Sequence, residues 1–245
     1  MGSNPAGRTQ IKIIDSFCAD RLTLRRWRDP QGEPSDSPDS RVCYPTGVKL
    51  FGKVVLAIFA LAAAAIAFAL VRASSARDAD RAYHAAIPNT IFLHSISFNP
   101  GADIPASYTC KGQGVSPEVS WEGPPAGARS YVLIASDWDS PLRRFRLGNV
   151  THWILYNIPR GVRGVKSAVK SAELTQEKID IGINSAGAAA YMPPCPPLGK
   201  HRYNFRVYAL DVPQIVPASR DREGVMNAMK GRVLAYGEIV SLFGG

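Results

Sequence analysis

Like charge is concentrated nowhere in this chain. Its 29 Lys and Arg against 20 Asp and Glu leave a formal charge of +9. Yet no block of one sign and no basic stripe interleaved with aromatics occurs, which argues against a nucleic-acid partner. Tight metal-ligand spacing is missing too. The four histidines are His84, His94, His152 and His201, and none forms an H-x-x-x-H pair, so no metal is expected. No glycine-rich phosphate loop opens a helix, and nothing calls for a cofactor. Gly182-Ile183-Asn184-Ser185-Ala186-Gly187 misses a nucleophile elbow, because Ile183 stands where a glycine is needed two residues before Ser185. There is no internal repeat.

Polar side chains are absent from one stretch altogether. Val54 to Val71 is apolar throughout and is flanked by Lys53 and Arg72. As a helix it would span about 27 Å, close to the hydrocarbon thickness of a bilayer. A buried soluble helix of that length would show a polar face, and this one has none. Two membrane readings follow. One is a single-pass anchor. The other is a signal peptide, with Lys49 and Lys53 as its charged region and Ser74-Ser75-Ala76 as its cleavage site. The long segment before the run favours the anchor. Either reading places residues after about 77 outside the cytoplasm, anchored or secreted, although Lys and Arg on the two sides do not set the orientation.

The chain divides accordingly. Residues 1–49 carry no sustained period and include a Pro/Ser/acidic stretch over 28–38, so a disordered tail is expected. The anchor or signal segment occupies 50–73, a charged linker 74–90, and a folded domain 91–245. Within that domain the pattern is strands and turns. Tyr131 to Ala135 is a continuous apolar run, expected of a strand buried on both faces. Val150, His152, Ile154, Tyr156 and Ile158 alternate onto one face of a strand, and His201, Tyr203, Phe205, Val207 and Ala209 do the same in another. An amphipathic helix is predicted from about Arg222 to Val233, followed by a last strand over 234–242. Many short strands with one or two helices read as mainly β, an antiparallel β-sandwich.

Two carboxylates, two imidazoles and a phenol stand at strand ends or beside stiff turns. His201 and Tyr203 share a strand face just after the Pro-rich segment 193–197. His152 lies in mid-strand, and Asp137 and Asp139 close a turn with Pro141. An imidazole beside a phenol offers donors to a phosphate-like anion, and a nearby carboxylate orients an imidazole. A structural role in the core remains the alternative for each histidine. Cys110 and Cys195 follow the apolar run. An oxidising compartment would let them bridge a loop of about 85 residues, with two free thiols as the alternative.

Seven short motifs then occur in order: Tyr108-Thr109-Cys110-Lys111-Gly112, Ser116-Pro117 with Ser120-Trp121, Asp137-x-Asp139-x-Pro141, His152-Trp153, Asn157-Ile158-Pro159, Pro194-Cys195-Pro196-Pro197 and His201-Arg202-Tyr203. The series resembles the phosphatidylethanolamine-binding protein family, in particular its bacterial Raf-kinase-inhibitor-like (YbhB/YbcL) branch, over about residues 91–243. The resemblance implies a β-sandwich with a small anion pocket. That pocket would be built from Asp137, Asp139, Pro141, His152, His201 and Tyr203 with the backbone near Pro193 and Pro194. Its ligand would be a small anion or a phospholipid head group, with no general catalytic activity. Three positions depart from the family pattern: Trp138 replaces a proline, Ser140 an alanine, and Pro193 a glycine, which removes a backbone N–H. The rival expectations are a hydrolase using His152 and His201 as acid and base, and a protease or kinase inhibitor acting through the pocket rim.

Overall fold

In the computed structural model, residues 46–140 and 148–245 are described, with side chains from Phe51 on. Residues 1–45 of the expected tail, and Pro141, lie outside the described residues. The chain forms two units, residues 1–66 and 67–245.

Helix α1 runs over Thr46–Ala85. Its apolar side chains stand exposed, Leu56 and Leu61 each at 71%. Among the described residues it is the one helix long and apolar enough to cross a membrane. The linker expected over 74–90 is largely helix, because the helix does not end with the apolar run. Arg77, Asp78, Ala79, Asp80, Arg81 and Ala82 sustain it, most of them with good helix propensity. Arg81 pairs with Asp78 one turn back at 3.2 Å. The helix stops before Pro88, whose ring disfavours helical backbone in the preceding residue.

The folded domain holds two antiparallel sheets, the sandwich expected from the strand-and-turn pattern. The smaller sheet orders β1 (Phe92–His94), β2 (Val119–Glu122) and β5 (Gly164–Val165). The larger has the order β6-β4-β3-β7-β8, with β3 (Ser130–Asp137), β4 (Val150–Pro159), β6 (Asp180–Ile181), β7 (Lys200–Leu210) and β8 (Val233–Gly244). Helix α2 covers Ser171–Gln176, and α3 covers Arg222–Met229, ending four residues before the Val233 its periodicity suggested. Asp221 caps α3 by accepting from the Gly224 N–H at 2.8 Å.

Each face of the large sheet is covered. Between the sheets, Leu93, Val119 and Trp121 meet Tyr131, Leu133, Ala135, Phe205 and Val207. On the other face, Val132, Ile134, Ile154 and Tyr208 pack with Val225 and Met229 of α3 and with Tyr83 near the end of α1. Strand β3 is buried along its whole length, which is why its sequence is continuously apolar rather than alternating.

Strand β4 breaks the simple alternation read from its sequence. Its pairing with β3 slips twice. Leu133 opposes Leu155 where Tyr131 opposes Ile158, and Ser136 opposes Thr151 where Ala135 opposes Trp153. The first irregularity accommodates Asn157 at φ 57°. The second leaves His152 as an extra residue between two paired ones. Ile154 and Tyr156 therefore face α3 while Ile158 faces the other sheet, so the five residues expected on one face are divided between two. A bulge re-aims a side chain in this way.

Candidate functional site

Asp137 ends β3 and sits directly opposite Tyr203 of β7. His201 and Tyr203 leave β7 on the same side, two residues apart, and the bulge in β4 turns His152 toward them. The His152 and Tyr203 rings meet edge to face, centroids 5.1 Å apart at 73°. Asp137, His152, His201 and Tyr203 thus come together from three strands, and all four are buried.

The hydrogen bonds assign each group a state. One Asp137 carboxylate oxygen accepts from the Asp139 N–H at 2.5 Å, an Asx turn closing the strand end, and the other lies 2.7 Å from His201 Nδ1. His201 Nε2 lies 3.2 Å from the Leu198 carbonyl, so both ring nitrogens are engaged within the protein. His152 differs. Its Nδ1 is 2.8 Å from the Met192 carbonyl, and its own carbonyl accepts from the Met192 N–H at 2.8 Å. A carbonyl can only accept, so Nδ1 carries the proton. His152 Nε2 is buried and has no partner.

Electrostatics follow from burial. Loss of hydration pushes the His152 imidazole below its ordinary pKa, opposed by the Met192 carbonyl and Asp137 and assisted by the His201 charge. The neutral tautomer then presents Nε2 as a bare acceptor, and protonation would make it a donor. Burial, reinforced by the nearby Asp137 charge, pushes the Tyr203 phenol far above its ordinary range. Tyr203 stays a neutral hydroxyl at any physiological pH.

The other expected pocket residues have different surroundings. Asp139 is 1% exposed. It accepts from the Arg202 backbone N–H at 3.1 Å, from Nε at 2.8 Å and from Nη2 at 2.7 Å, so its charge is matched by a bidentate guanidinium. Pro193 packs its ring toward Gly114, which at φ 67° has no side chain to obstruct it. The Pro194 carbonyl accepts from the Cys110 N–H at 3.1 Å. Beside that contact Cys110 and Cys195 are joined by a disulfide, Cα atoms 5.4 Å apart. The bridge ties the segment that supplies Met192 to the turn around residue 110. Among the described residues no cluster of three or more His, Cys, Asp or Glu is placed to hold a metal.

Four contributors escaped the sequence reading. Met192 acts only through its carbonyl, which leaves no side-chain signature. Arg202 faces away from His201 and Tyr203, as strand alternation requires, and its tie to Asp139 has no local spacing. Asp80 and His84 lie in the expected linker, although their i, i+4 spacing on a helix would have paired them.

Comparison with known proteins agrees with this architecture. The chain is 38% identical over 151 residues to a "UPF0098 protein" of Methanothermobacter thermautotrophicus, covering 62% of this chain and 97% of that one. Among solved structures, a phosphatidylethanolamine-binding protein homolog, CT736, from Chlamydia trachomatis superposes with a TM-score of 0.57. The two are 35% identical, and the match covers 64% of this chain and 99% of that one. Escherichia coli YbcL gives a TM-score of 0.56 at 25% identity, over 63% and 98% of the two chains. The family profile "PBP: Phosphatidylethanolamine-binding protein" matches residues 94–244, the span that contains the whole of the larger sheet and every residue of the buried cluster, and the chain therefore belongs to the phosphatidylethanolamine-binding protein family.

Proposed function

We propose that the domain binds a small anion or a phospholipid head group at His152 and Tyr203, without turning it over, and that α1 anchors it to a membrane with the domain outside the cytoplasm. The observation that carries the reading is His152 Nε2. A buried ring nitrogen without a partner costs free energy, whereas every other imidazole nitrogen near it is engaged. A ligand oxygen that reached Nε2 would receive a proton-bearing donor once His152 is charged, beside the neutral Tyr203 hydroxyl. Asp137 holds His201 in place next to them and plays a positioning role. The Cys110–Cys195 bridge supports the compartment, since disulfides persist outside the reducing cytoplasm.

The test is calorimetric titration of the full-length protein with inorganic phosphate and with phosphoethanolamine near pH 6 and pH 8. Wild type should bind more tightly at the lower pH. His152→Ala should weaken binding by about 10- to 100-fold, the usual loss for a charge-assisted hydrogen bond, and remain folded by thermal melt. Absence of any heat of binding at both pH values would defeat the reading. Steady release of phosphate from phosphoethanolamine would replace it with a hydrolase. Anchoring is read separately: the protein should resist carbonate extraction from membranes.

A further inference from the structure

The charged end of α1 does more than lead into the domain. Arg77, Asp80 and Arg81 of the helix face Trp138, Arg202 and Arg206 of the sheet side across a cleft of about 470 Å³, a volume suited to a small polar head group. All of these residues belong to the 67–245 unit. His152 and Tyr203 do not line the cleft.

Its carboxylates are already engaged. Asp80 accepts from Arg206 Nη1 at 3.1 Å and also from Arg222, Asp139 is held by Arg202, and Glu238 accepts from Arg206 Nε at 2.6 Å and from Asn204 at 2.8 Å. Donors are in surplus, because a guanidinium carries five N–H bonds. Arg202 uses one from Nε and one from Nη2 on the Asp139 side chain, and its side chain is 35% exposed. Trp138 adds an indole Nε1 that is buried and has no partner. A wall whose carboxylates are paired and whose Arg202 and Trp138 keep donors in reserve suits a ligand that is all acceptor, such as a phosphate diester.

The place of the cleft along the helix says where that phosphate would come from. The apolar run ends at Val71, which is 62% exposed. Arg77 and Arg81 follow about 9 Å and 15 Å further along the helix axis, the first near the outer edge of the head-group layer, which is about 5–8 Å deep. The helix residues of the cleft wall also lie outside the span 94–244 matched by the family profile.

We propose that this cleft is a second binding site, which takes the phosphate of a phospholipid from the bilayer that holds α1. The proposal rests on membrane anchoring but not on the His152 site. It is tested with the full-length protein in nanodiscs of phosphatidylcholine doped with phosphatidylglycerol, counting by native mass spectrometry the lipid that stays bound after gentle extraction. Phosphatidylglycerol should be retained selectively, and free inorganic phosphate or glycerol 3-phosphate should displace little of it. Arg77→Gln with Arg81→Gln should reduce retention about tenfold and Trp138→Phe, which keeps the ring but removes the donor, about threefold. Arg129→Gln, an exposed control, should change nothing. Equal retention in wild type and the double variant, or equal retention of the two lipids, overturns the proposal. Displacement by free phosphate at comparable concentration overturns the lipid source and makes the cleft a site for a soluble anion. Release of the protein by carbonate overturns the anchoring and this proposal together, whereas membrane retention without lipid selectivity overturns this proposal alone.

Discussion

A cluster of aspartate, histidine and tyrosine lies against each face of the large sheet, Asp80 and His84 of α1 with Tyr208 on one side and Asp137, His152, His201 and Tyr203 on the other, and the two differ at their imidazoles. On the α3 side, His84 Nδ1 lies 2.6 Å from the Asp80 carbonyl and Nε2 2.8 Å from the Tyr208 hydroxyl, while Asp80 is bound by Arg206 and Arg222. Each nitrogen of that histidine has a partner. On the side between the sheets, Asp137, His201, His152 and Tyr203 form an equally buried cluster, but His152 Nε2 is left without one. Burial of a histidine is therefore no guide to its role. The fully bonded His84 locks the end of α1 to the sheet, whereas the unpaired His152 Nε2 has capacity for a ligand.

The largest effect should come from the bridge that backs the incomplete cluster. Cys195→Ser opens a loop of 85 residues. It should lower unfolding free energy by about 4.5 kcal/mol in the chain-entropy picture, measured by urea denaturation of the folded domain, and non-reduced peptide mapping of the wild type should recover the linked pair. Asp80→Asn comes next. It leaves Arg206 and Arg222 short of a buried counter-charge and should cost about 3 kcal/mol by the same measurement, while phosphate binding that depends on His152 is retained. If Asp80→Asn weakened anion binding as much as His152→Ala, the two faces would not be functionally distinct.

The histidines provide the cleanest exchange. His84→Ala should lower the melting temperature by several degrees, corresponding to about 1–2 kcal/mol, and leave phosphate affinity intact. His152→Ala should do the reverse, losing affinity with a smaller change in melting. The same outcome for both would merge the two clusters into one structural class.

Acid titration should separate the faces by pH. Burial alone would raise the Asp80 pKa, but the His84 hydrogen bond and the Arg206 and Arg222 charges outweigh it and lower it to about 2. Its stabilisation is present above the unfolded value of 3.8 and is lost as pH falls toward about 2. His152 is lowered from 6.5, so its contribution is present above that value and lost as pH falls through its folded pKa. Anion affinity should rise over that same interval, because the protonated ring donates. Melting curves with and without phosphate from pH 8 to pH 5 should therefore diverge as pH falls, and a constant difference would remove His152 from the ligand.

Much of this was legible beforehand. The apolar run, the strand positions, the buried β3 and the residues Asp137, His152, His201 and Tyr203 all have local signatures in hydropathy, alternation or turn chemistry. The helical continuation to Ala85 was not legible, because a charged segment reads as linker until His84 is found buried and Tyr83 partly buried against the sheet. Nor was the surround of Asp139, whose partner Arg202 stands 63 residues away.

The sequence by itself determined which stretches are apolar, which alternate and where the chain turns, since each depends on neighbours a few residues apart. It also supplied the two cysteines and the chemistry of each candidate group. Only the tertiary structure decided that a bulge turns His152 toward Tyr203, that Met192 and Leu198 accept with their carbonyls, and that His152 Nε2 is left without a partner. Those outcomes depend on strand register and on partners 3 to 64 residues apart in the chain, and no local pattern encodes which donor will meet which acceptor.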